Sequence, residues 1–444
     1  MLTRIEIDGF KTFERFELDL MPLTAIVGPN ASGKSNLFDA LQFLSALAEK
    51  DILSAMKGLR GEPEELFRQT ASGVSDCITF AIEVYLQQQG TDDFGRPYKI
   101  PSQRLRYELK LGLSDGADGN TRGIFVRDES CRPVKRADDR ANYLRPLNPN
   151  YNSRVSPFIQ INEAGDALLV RQDGRQRHGR PIQLSLKEAS RTALSTITTA
   201  EFPHLYALRE MLISLQFLEI NPSAARSPND RFEVGTLKPD ASNLAAVLTR
   251  LRQQTGSGQR VDGVLADIAA DLTALIPSIA SIETQADPNQ RQYSFSIRFV
   301  DDLRFSSRVI SDGTLRLLAL LTVLNDPDRK GTLCFEEPEN GVHEGRIPML
   351  VEFLRDAAAI DSDPEYPLFQ VLLNTHSPKV MAALHDDEIV VADMVVAVLP
   401  ESKLRTARTR MRRGVERSGD LIDPEKYLVR AEIERLLQRS VDAA

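Results

Sequence analysis

A glycine-rich segment near the start of the chain has the residue types and spacing of a phosphate-binding loop. The pattern Gly-x-x-x-x-Gly-Lys-Ser follows an apolar strand and precedes an apolar helix. The two glycines let backbone N–H groups face phosphate oxygens, the lysine reaches the outer phosphates, and the serine offers a hydroxyl to Mg²⁺. We predict that this loop binds a nucleotide through Gly28, Pro29, Asn30, Ala31, Ser32, Gly33, Lys34, Ser35 and Asn36.

Two positions near this pattern leave a question open. Ala31 stands where a third glycine is frequent, and it removes one permissive backbone position without spoiling the loop. Lys11 lies in the turn between the first two predicted strands. It is as well explained by a solvated turn lysine as by a contact with a nucleotide phosphate.

Three further polar residues follow predicted strands and have the chemistry of a hydrolytic site. Glu336 and Glu337 close the apolar strand 332–336, and His376 closes the next one. In an open parallel sheet the carboxyl ends of the strands form the ligand crevice. We expect Glu336, at a position where Asp is common, to hold Mg²⁺ with Ser35, and Glu337 to deprotonate the attacking water. His376 can then sense the γ-phosphate, although each of the three would otherwise be an ordinary solvated side chain.

A second candidate anion site lies much later in the chain. Ser311, Asp312 and Gly313 begin an almost wholly apolar helix, and a small hydroxyl residue with a glycine at a helix N-terminus favours anions. One triphosphate does not need two such cradles from one subunit. We therefore predict that this turn covers the γ-phosphate bound to a second copy of the chain, so that ATP lies between two subunits of a homodimer.

The elements that must position these residues are predicted from hydrophobic periodicity. Alternating segments predict an antiparallel β layer in the first part of the chain, and strands that alternate with helices after 290 predict a parallel sheet with crossover helices. The fold class is therefore α/β. The predicted strands cover 2–8, 13–20, 77–86, 104–113, 123–128, 156–162, 167–172, 293–300, 332–336, 369–374 and 388–399, and the predicted helices cover 36–47, 186–198, 203–217, 240–254, 261–275, 315–324 and 346–359.

This pattern divides the chain into four parts. Segments 1–90 and 291–400 are predicted to form one split nucleotide-binding head. Segment 91–185 is predicted to be a β-rich insertion, and 186–290 a helical subdomain, without the sustained heptads of a coiled-coil arm. Segment 401–444 is predicted to be a basic strand and helix, because 401–417 contains seven basic and two acidic residues.

Composition limits the function classes that remain. The chain has 444 residues, 42% of them hydrophobic and 27% charged, and a formal net charge of −8, so any nucleic-acid contact must be a local patch. Three scattered cysteines fit neither a metal site nor a disulfide framework and indicate a reducing, cytoplasmic setting. The N-terminus reads as a strand rather than a signal peptide, and no apolar run is long enough to span a membrane.

Taken in order, the four motifs resemble the ABC-type ATPase heads of the RecF, SMC and OLD proteins. The matching phrases are Gly28–Ser35, Ser311–Thr314, Glu336–His343 and Thr375–Pro378. They look like those of stand-alone ATPases often paired with a second protein in bacterial anti-phage systems. The resemblance implies ATP and Mg²⁺ as cofactors, Ser311 to Gly313 as contacts in trans, Glu339 to His343 as the loop that crosses the dimer, and His376 as the switch histidine. It also implies a separate effector, a TOPRIM-like nuclease or a toxin.

Some features depart from the pattern of those relatives. The family's glutamine loop has only two weak candidates, Gln69 and Gln103, and Glu344 stands where relatives often have proline. Too few residues follow His376 for a TOPRIM domain, so we expect no nuclease activity. The Asp-x-Asp pair Asp361 and Asp363 is better explained as a solvated loop.

Two alternative functions remain. A RecF-like DNA-binding module for repair would use the β region or the basic tail, where Arg408, Arg410 and Arg412 share one strand face. A transport or ribosome-linked ATPase is disfavoured, because in transporters the phosphate loop and the second anion motif lie much closer in sequence and the protein needs membrane partners. We therefore expect an ATPase that controls an effector.

Overall fold

The computed structural model describes the chain as a set of ranges with short gaps. These are residues 1–70, 73–115, 122–151, 156–173, 181–233, 235–287, 289, 291–360, 368–398, 405–415 and 423–442. Asp361 and Asp363 lie outside them. In the described residues, every helix is too short or too polar to cross a bilayer.

The strands of the described ranges are numbered in chain order. They are β1 (Leu2–Asp8), β2 (Phe16–Asp19), β3 (Leu23–Val27), β4 (Gln69–Thr70), β5 (Gly73–Val74), β6 (Cys77–Tyr85), β7 (Gln89–Thr91), β8 (Pro97–Lys99), β9 (Arg104–Asp115), β10 (Arg122–Pro133), β11 (Ile159–Ile161), β12 (Ala167–Val170), β13 (Ile182–Ser185), β14 (Leu215–Leu218), β15 (Asn229–Asp230), β16 (Ile279–Asp287), β17 (Gln292–Phe299), β18 (Arg304–Ser306), β19 (Gly331–Glu336), β20 (Phe369–Thr375), β21 (Ile389–Val398), β22 (Arg405–Val415) and β23 (Tyr427–Val429).

The helices are numbered in the same way. They are α1 (Lys34–Leu47), α2 (Ile52–Met56), α3 (Pro203–Ile213), α4 (Pro222–Ala225), α5 (Leu244–Thr255), α6 (Val264–Leu275), α7 (Asp312–Leu324), α8 (Ile347–Ala357), α9 (Pro378–Ala383) and α10 (Arg430–Asp442).

A seven-stranded mixed sheet forms the centre of the molecule. Its order is β14-β19-β20-β3-β21-β22-β23, and the first five strands run parallel to one another. Helix α8 connects β19 to β20, and α9 connects β20 to β21. The predicted parallel sheet with crossover helices is therefore confirmed, and its parallel strands are buried on both faces as such sheets require.

An eight-stranded antiparallel sheet forms a second layer. Its order is β13-β12-β11-β10-β9-β6-β1-β2, and every neighbouring pair is antiparallel. Strand β9 alternates buried and half-buried residues as its sequence predicts. A smaller antiparallel sheet of β15 to β18 lies beside helices α5 and α6.

The two faces of the central sheet belong to different hydrophobic cores. Ile26 of β3 and Leu372 of β20 pack in the core that contains α1, α3 and the antiparallel sheet. Their neighbours Ala25 and Leu373 pack on the opposite face, in the core that contains α5 to α8. Because successive side chains of a strand point to opposite faces, the apolar runs of the central strands serve both cores at once.

Gln370 joins the two sheets at a point with no exposed surface. Its Nε2 donates to the carbonyls of Leu2 (2.8 Å) and Met21 (3.0 Å), and its Oε1 accepts from the N–H of Leu2 and the hydroxyl of Thr332, each at 3.0 Å. One buried amide of β20 thereby satisfies backbone groups of β1, which belongs to the other sheet.

The sequence analysis was wrong for part of the segment between 186 and 217. The predicted helix 186–198 is mostly irregular, with one 3₁₀ turn at Leu194–Thr196. The predicted helix 203–217 ends at Ile213, and its last residues form β14, the first strand of the central sheet. A short, mostly apolar segment such as Leu215 to Leu218 fits the end of a helix and a buried strand equally well. Periodicity alone therefore does not distinguish the two structures.

The other predicted helices and strands agree with the structure within four residues at each end, except that the strand predicted at 123–128 continues to Pro133 in β10. Helix α5, predicted over 240–254, covers Leu244–Thr255 and has Asn243 as its N-cap residue. The four-part division of the chain stays a prediction, and β14 shows that segment 186–290 supplies a strand to the head.

We expect Gln370→Leu to lower the free energy of unfolding by about 3 kcal/mol, because it removes the side-chain partner of the buried N–H and carbonyl of Leu2 and of the buried Thr332 hydroxyl. Urea unfolding followed by circular dichroism measures the change. Gln183→Leu, on an exposed position of β13, is the matched control. A loss no larger than that of the control would show that Gln370 does not hold the sheets together.

Candidate nucleotide-binding site

The carboxyl ends of the parallel strands meet at one edge of the central sheet. In the register of the sheet, Glu336 of β19 lies opposite Asn374 of β20, and Asn374 lies opposite Ile26 of β3. The loop Gly28–Gly33 begins directly after β3 and leads into α1. The phosphate-binding loop and the acidic strand end therefore lie side by side, as the sequence predicts.

The loop has the backbone conformation that its glycines permit. Gly33 is the N-cap of α1 with a φ of 91°, a left-handed value that favours glycine. Ala31 adopts a φ of 60°, which is unfavourable for alanine by about 1 kcal/mol relative to glycine. Ala31, which stands where related loops often have a third glycine, therefore adopts the left-handed backbone conformation that glycine favours.

Residues of strands β21 and β22 pack directly against the backbone of the phosphate-binding loop. A Cβ on Gly28 would lie 2.4 Å from the carbonyl oxygen of Ala392, and a Cβ on Gly33 would lie 2.0 Å from the Oγ1 of Thr409. Thr409 Oγ1 is also 2.6 Å from Thr12 Oγ1. Both glycines are therefore needed for close packing, in addition to any contact with a phosphate.

Lys34 is held inside the loop by backbone carbonyls. Its Nζ donates to Gly28 O at 2.7 Å and to Pro29 O at 2.8 Å. Burial lowers the pKa of this ammonium, and the nearby carboxylates of Glu337 and Glu336 partly oppose that shift. The Lys34 ammonium is partly buried and bonded to neutral carbonyl oxygens. It is therefore suited to exchange these partners for charged phosphate oxygens.

The two acidic residues after β19 have separate hydrogen-bond partners. Glu336 Oε1 accepts from the amide of Asn374 at 2.8 Å. Glu337 adopts a φ of 51°, its Oε2 accepts from Asn340 Nδ2 at 2.8 Å, and its Oε1 lies 3.2 Å from His376 Nδ1. The predicted pair Glu337 and His376 is thus in direct contact, with the His376 side chain 56% exposed.

The loop that follows Glu337 is anchored to the sheet and to the second anion motif. Glu339 Oε1 accepts from the hydroxyl of Thr375 at 2.6 Å. Gly341, with a φ of 92°, approaches Gly313 so closely that a Cβ on either would lie within 3 Å of the other's Cα. The turn that begins α7 and the loop that carries Glu337 therefore pack backbone against backbone.

The turn before α7 is exposed and capped. Ser311 Oγ accepts from the N–H of Thr314 at 3.2 Å, and Asp312 has 69% of its side chain exposed. Within the described ranges, the hydrogen bonds of this turn that involve a side chain join it to Arg226 and Thr314, and none of them involves the phosphate-binding loop. Ser311 and Asp312 are both exposed, so a second copy can approach this turn.

Some candidates from the sequence are used elsewhere. The amide of Asn36 donates to Thr12 at 2.8 Å, and Lys11 forms an ion pair with Asp39 of α1 at 2.6 Å, so both side chains already have protein partners. Gln103 is buried and donates to Tyr85 and Leu86. Gln69 lies exposed on β4.

Sequence reasoning missed several residues around the site. A cavity of about 370 Å³ is lined by Glu336, which the sequence predicts, and by Asp39, Arg60 and Glu219, which it does not. Arg60 donates to Asp39 at 2.9 Å and to the Ser35 carbonyl at 3.4 Å. Glu219 directly follows β14, so recognising that strand would have placed a further carboxylate at the same edge as Glu336.

The basic face predicted on the C-terminal strand is partly neutralised. Arg410 and Arg412 both pair with Asp393 of the neighbouring strand, at 2.7 Å and 3.2 Å, and Arg410 also pairs with Glu425. Arg408 is half-buried on the same strand. This face therefore offers fewer free cations than the sequence indicates.

The residues at the edge fit a magnesium nucleotide. Among the described residues, the buried Ser32 Oγ has no hydrogen-bond partner, and the partners of Lys34 Nζ are the carbonyls of Gly28 and Pro29. Ser35 and Glu336 supply the hard oxygen ligands that Mg²⁺ prefers. Bound Mg²⁺ would neutralise charge on the β- and γ-phosphates, and Glu337 lies beside His376 where a water could be oriented.

The fold and this edge define an ABC-type P-loop ATPase head of the RecF/SMC-like class. The AAA_21 family, described as "AAA domain, putative AbiEii toxin, Type IV TA system", matches residues 23–382. Since this match spans more than half of the chain, the protein belongs to that family.

Relatives and solved structures agree with this assignment. The chain is 52% identical over 44 residues to the chromosome partition protein Smc of Methanocaldococcus jannaschii, covering 10% of this chain and 4% of that protein. It is 24% identical over 176 residues to the DNA replication and repair protein RecF of Gloeobacter violaceus, covering 38% and 44%. The chain thus spans less than half the length of these curated relatives. An Smc head bound to the C-winged helix domain of ScpA shares the fold, with a TM-score of 0.51, 14% identity, and coverage of 93% of this chain and 97% of that one.

We expect Lys34→Met to weaken ATP binding by about 3 kcal/mol, roughly a hundredfold, because it removes charge-assisted contacts with phosphate oxygens. Titration calorimetry with a non-hydrolysable ATP analogue measures the affinity. Lys379→Met, an exposed lysine on α9, is the control and should leave it unchanged. An unaltered affinity in Lys34→Met would contradict the assigned site.

Proposed function

We propose that the protein is an ATP-hydrolysing homodimer whose ATP-dependent association controls a separate effector in bacterial anti-phage defence. Two nucleotides lie between two copies, each held by the phosphate-binding loop of one copy and covered by Ser311 to Gly313 of the other. The observation that carries this proposal is the exposed, capped N-terminus of α7, which packs against the loop of Glu337 and, within the described ranges, has no side-chain hydrogen bond to the phosphate-binding loop of its own copy.

The hydrolytic step is assigned to the residues at the sheet edge. Glu337 accepts a proton from the water that attacks the γ-phosphate, while Asn340 holds the other carboxylate oxygen. His376 lies close enough to Glu337 to orient it and to report on the γ-phosphate. Ser35 and Glu336 hold Mg²⁺. Hydrolysis removes the phosphate that joins the copies, so the dimer then separates.

The defence role rests on the family assignment. The AAA_21 description refers to an AbiEii toxin and a type IV toxin–antitoxin system. A head of this kind is suited to act on a second protein through its change between monomer and dimer. That partner is proposed to be a TOPRIM-like nuclease or a toxin, acting in the cytoplasm.

We expect Glu337→Gln to lower the turnover number by roughly 10²- to 10⁴-fold, because the amide cannot accept the proton, and to trap an ATP-bound dimer. Phosphate release measures turnover, and sedimentation velocity with ATP measures association. Glu344→Gln, an exposed acid in the same loop region, should behave like the parent protein. Normal turnover or a persistent monomer in Glu337→Gln would overturn the assignment.

A DNA-binding ATPase for repair is the second candidate function, favoured by a groove that includes Arg408 and Arg410 of the predicted basic strand. The groove, of about 790 Å³, lies between β2 and β22. It is lined by Arg15, Arg140, Arg408 and Arg413, although five acidic residues line it too. The similarity to RecF is compatible with this candidate.

If DNA binds in this groove, replacing Arg408 and Arg413 together with Ala should reduce the slope of log affinity against log salt by about two, one for each lost phosphate contact. Fluorescence anisotropy with a duplex at several salt concentrations measures the slope. Lys57→Ala is the control, because Lys57 is an exposed residue at the end of α2 and does not line the groove. Absence of salt-dependent binding by the parent protein would reject this candidate.

A further inference from the structure

Arg226 holds the turn before α7 from two directions. It follows the short helix α4, and its Nη2 donates to the carbonyl of Ile310 at 2.8 Å and to the carboxylate of Asp312. Its own carbonyl accepts from the hydroxyl of Ser307 at 2.7 Å. Both the backbone and the side chain of Arg226 are therefore bound to the segment that leads into α7.

The contact between Arg226 and Asp312 neutralises a carboxylate that would otherwise lie beside a bound triphosphate. Asp312 lies in the first turn of α7, where the partial positive charge of the helix favours anions. The same exposed carboxylate would repel a triphosphate that approached Ser311 and Gly313. Arg226, only 24% exposed, places a permanent positive charge directly on it. Repulsion between like charges near an interface opposes association unless a counter-charge is supplied.

The position of this turn also matters for the copy's own catalytic loop. Gly313 and Gly341 approach with no room for a Cβ on either residue. Gly341 follows Asn340, which holds Glu337. A displacement of the turn would therefore be transmitted to the loop that positions the proposed general base.

We propose that Arg226 is a positioning residue for the nucleotide contact in trans. It neutralises Asp312 and fixes the Ile310 carbonyl, so that Ser311 and Gly313 can receive the γ-phosphate bound to a second copy. This inference rests on the proposed function, because it needs an ATP-joined dimer. It assigns Arg226 no contact with the nucleotide of its own copy.

The test uses the full chain with Glu337→Gln as the parent, so that hydrolysis does not dissolve the dimer. Adding Arg226→Ala should weaken ATP-dependent dimerisation about tenfold in sedimentation velocity, a typical effect of an unpaired interfacial charge. ATP affinity at a protein concentration that keeps the chain monomeric should stay unchanged, which also shows that the variant is folded. Arg226→Gln, which keeps a donor for Ile310 but lacks the charge, should give a similar loss.

The deciding variant removes the opposing charge. Adding Asp312→Asn to Arg226→Ala should restore the dimerisation constant to within about threefold of the parent, because no uncompensated carboxylate is left. Arg304→Ala is the matched control, since it breaks an exposed ion pair with Glu283 on the neighbouring small sheet. That variant should dimerise normally.

The outcomes separate the two proposals. If the Glu337→Gln parent itself does not dimerise with ATP, the proposed function fails and this inference fails with it. If the parent dimerises and both Arg226 variants dimerise equally well, only the role of Arg226 is overturned. A loss in Arg226→Ala that Asp312→Asn does not restore would overturn the neutralising role.

Discussion

The structure depends on the parallel register of β19, β20 and β3. This register brings Glu336, Asn374 and the strand end before Gly28 to the same edge. Parallel strands with buried faces require crossover connections, so residues far apart in sequence end at one crevice. Without this register, the phosphate-binding loop would be an isolated anion site with no acidic partner beside it.

Much of the rest of the molecule supports that edge. The antiparallel sheet covers one face of the central sheet and is tied to it by Gln370, and α5 to α8 cover the other face. Strands β21 and β22 support the loop from behind through Ala392 and Thr409. The C-terminal strands therefore contribute to the shape of the nucleotide site, although no residue of theirs was predicted to lie near it.

Features set by local chemistry could be predicted from the sequence. The phosphate-binding loop, the acidic strand end and His376 are each defined by a few neighbouring residues, and the structure brings them together. Strand β14 could not be distinguished from the end of α3, because a segment of four residues, three of them apolar, carries too little periodicity. The error concealed Glu219, whose place at the sheet edge depends on the pairing of β14 with β19. Ion pairs such as those of Arg410 depend on cross-strand neighbours in the same way.

The missed strand also explains how distant parts of the site are related. Glu219, at the end of β14, lines the cavity beside Glu336, and a few residues later Arg226 reaches Asp312. The backbone between them is fixed, because the N–H groups of Glu219 and Asn221 donate to the carbonyls of Pro239 and Asp240. One short, well-anchored segment therefore runs from the acidic edge of the central sheet to the turn before α7. Gly313 at the start of α7 also packs against Gly341 in the loop of Glu337. The acidic edge and the exposed turn are therefore connected by continuous packing contacts on both sides.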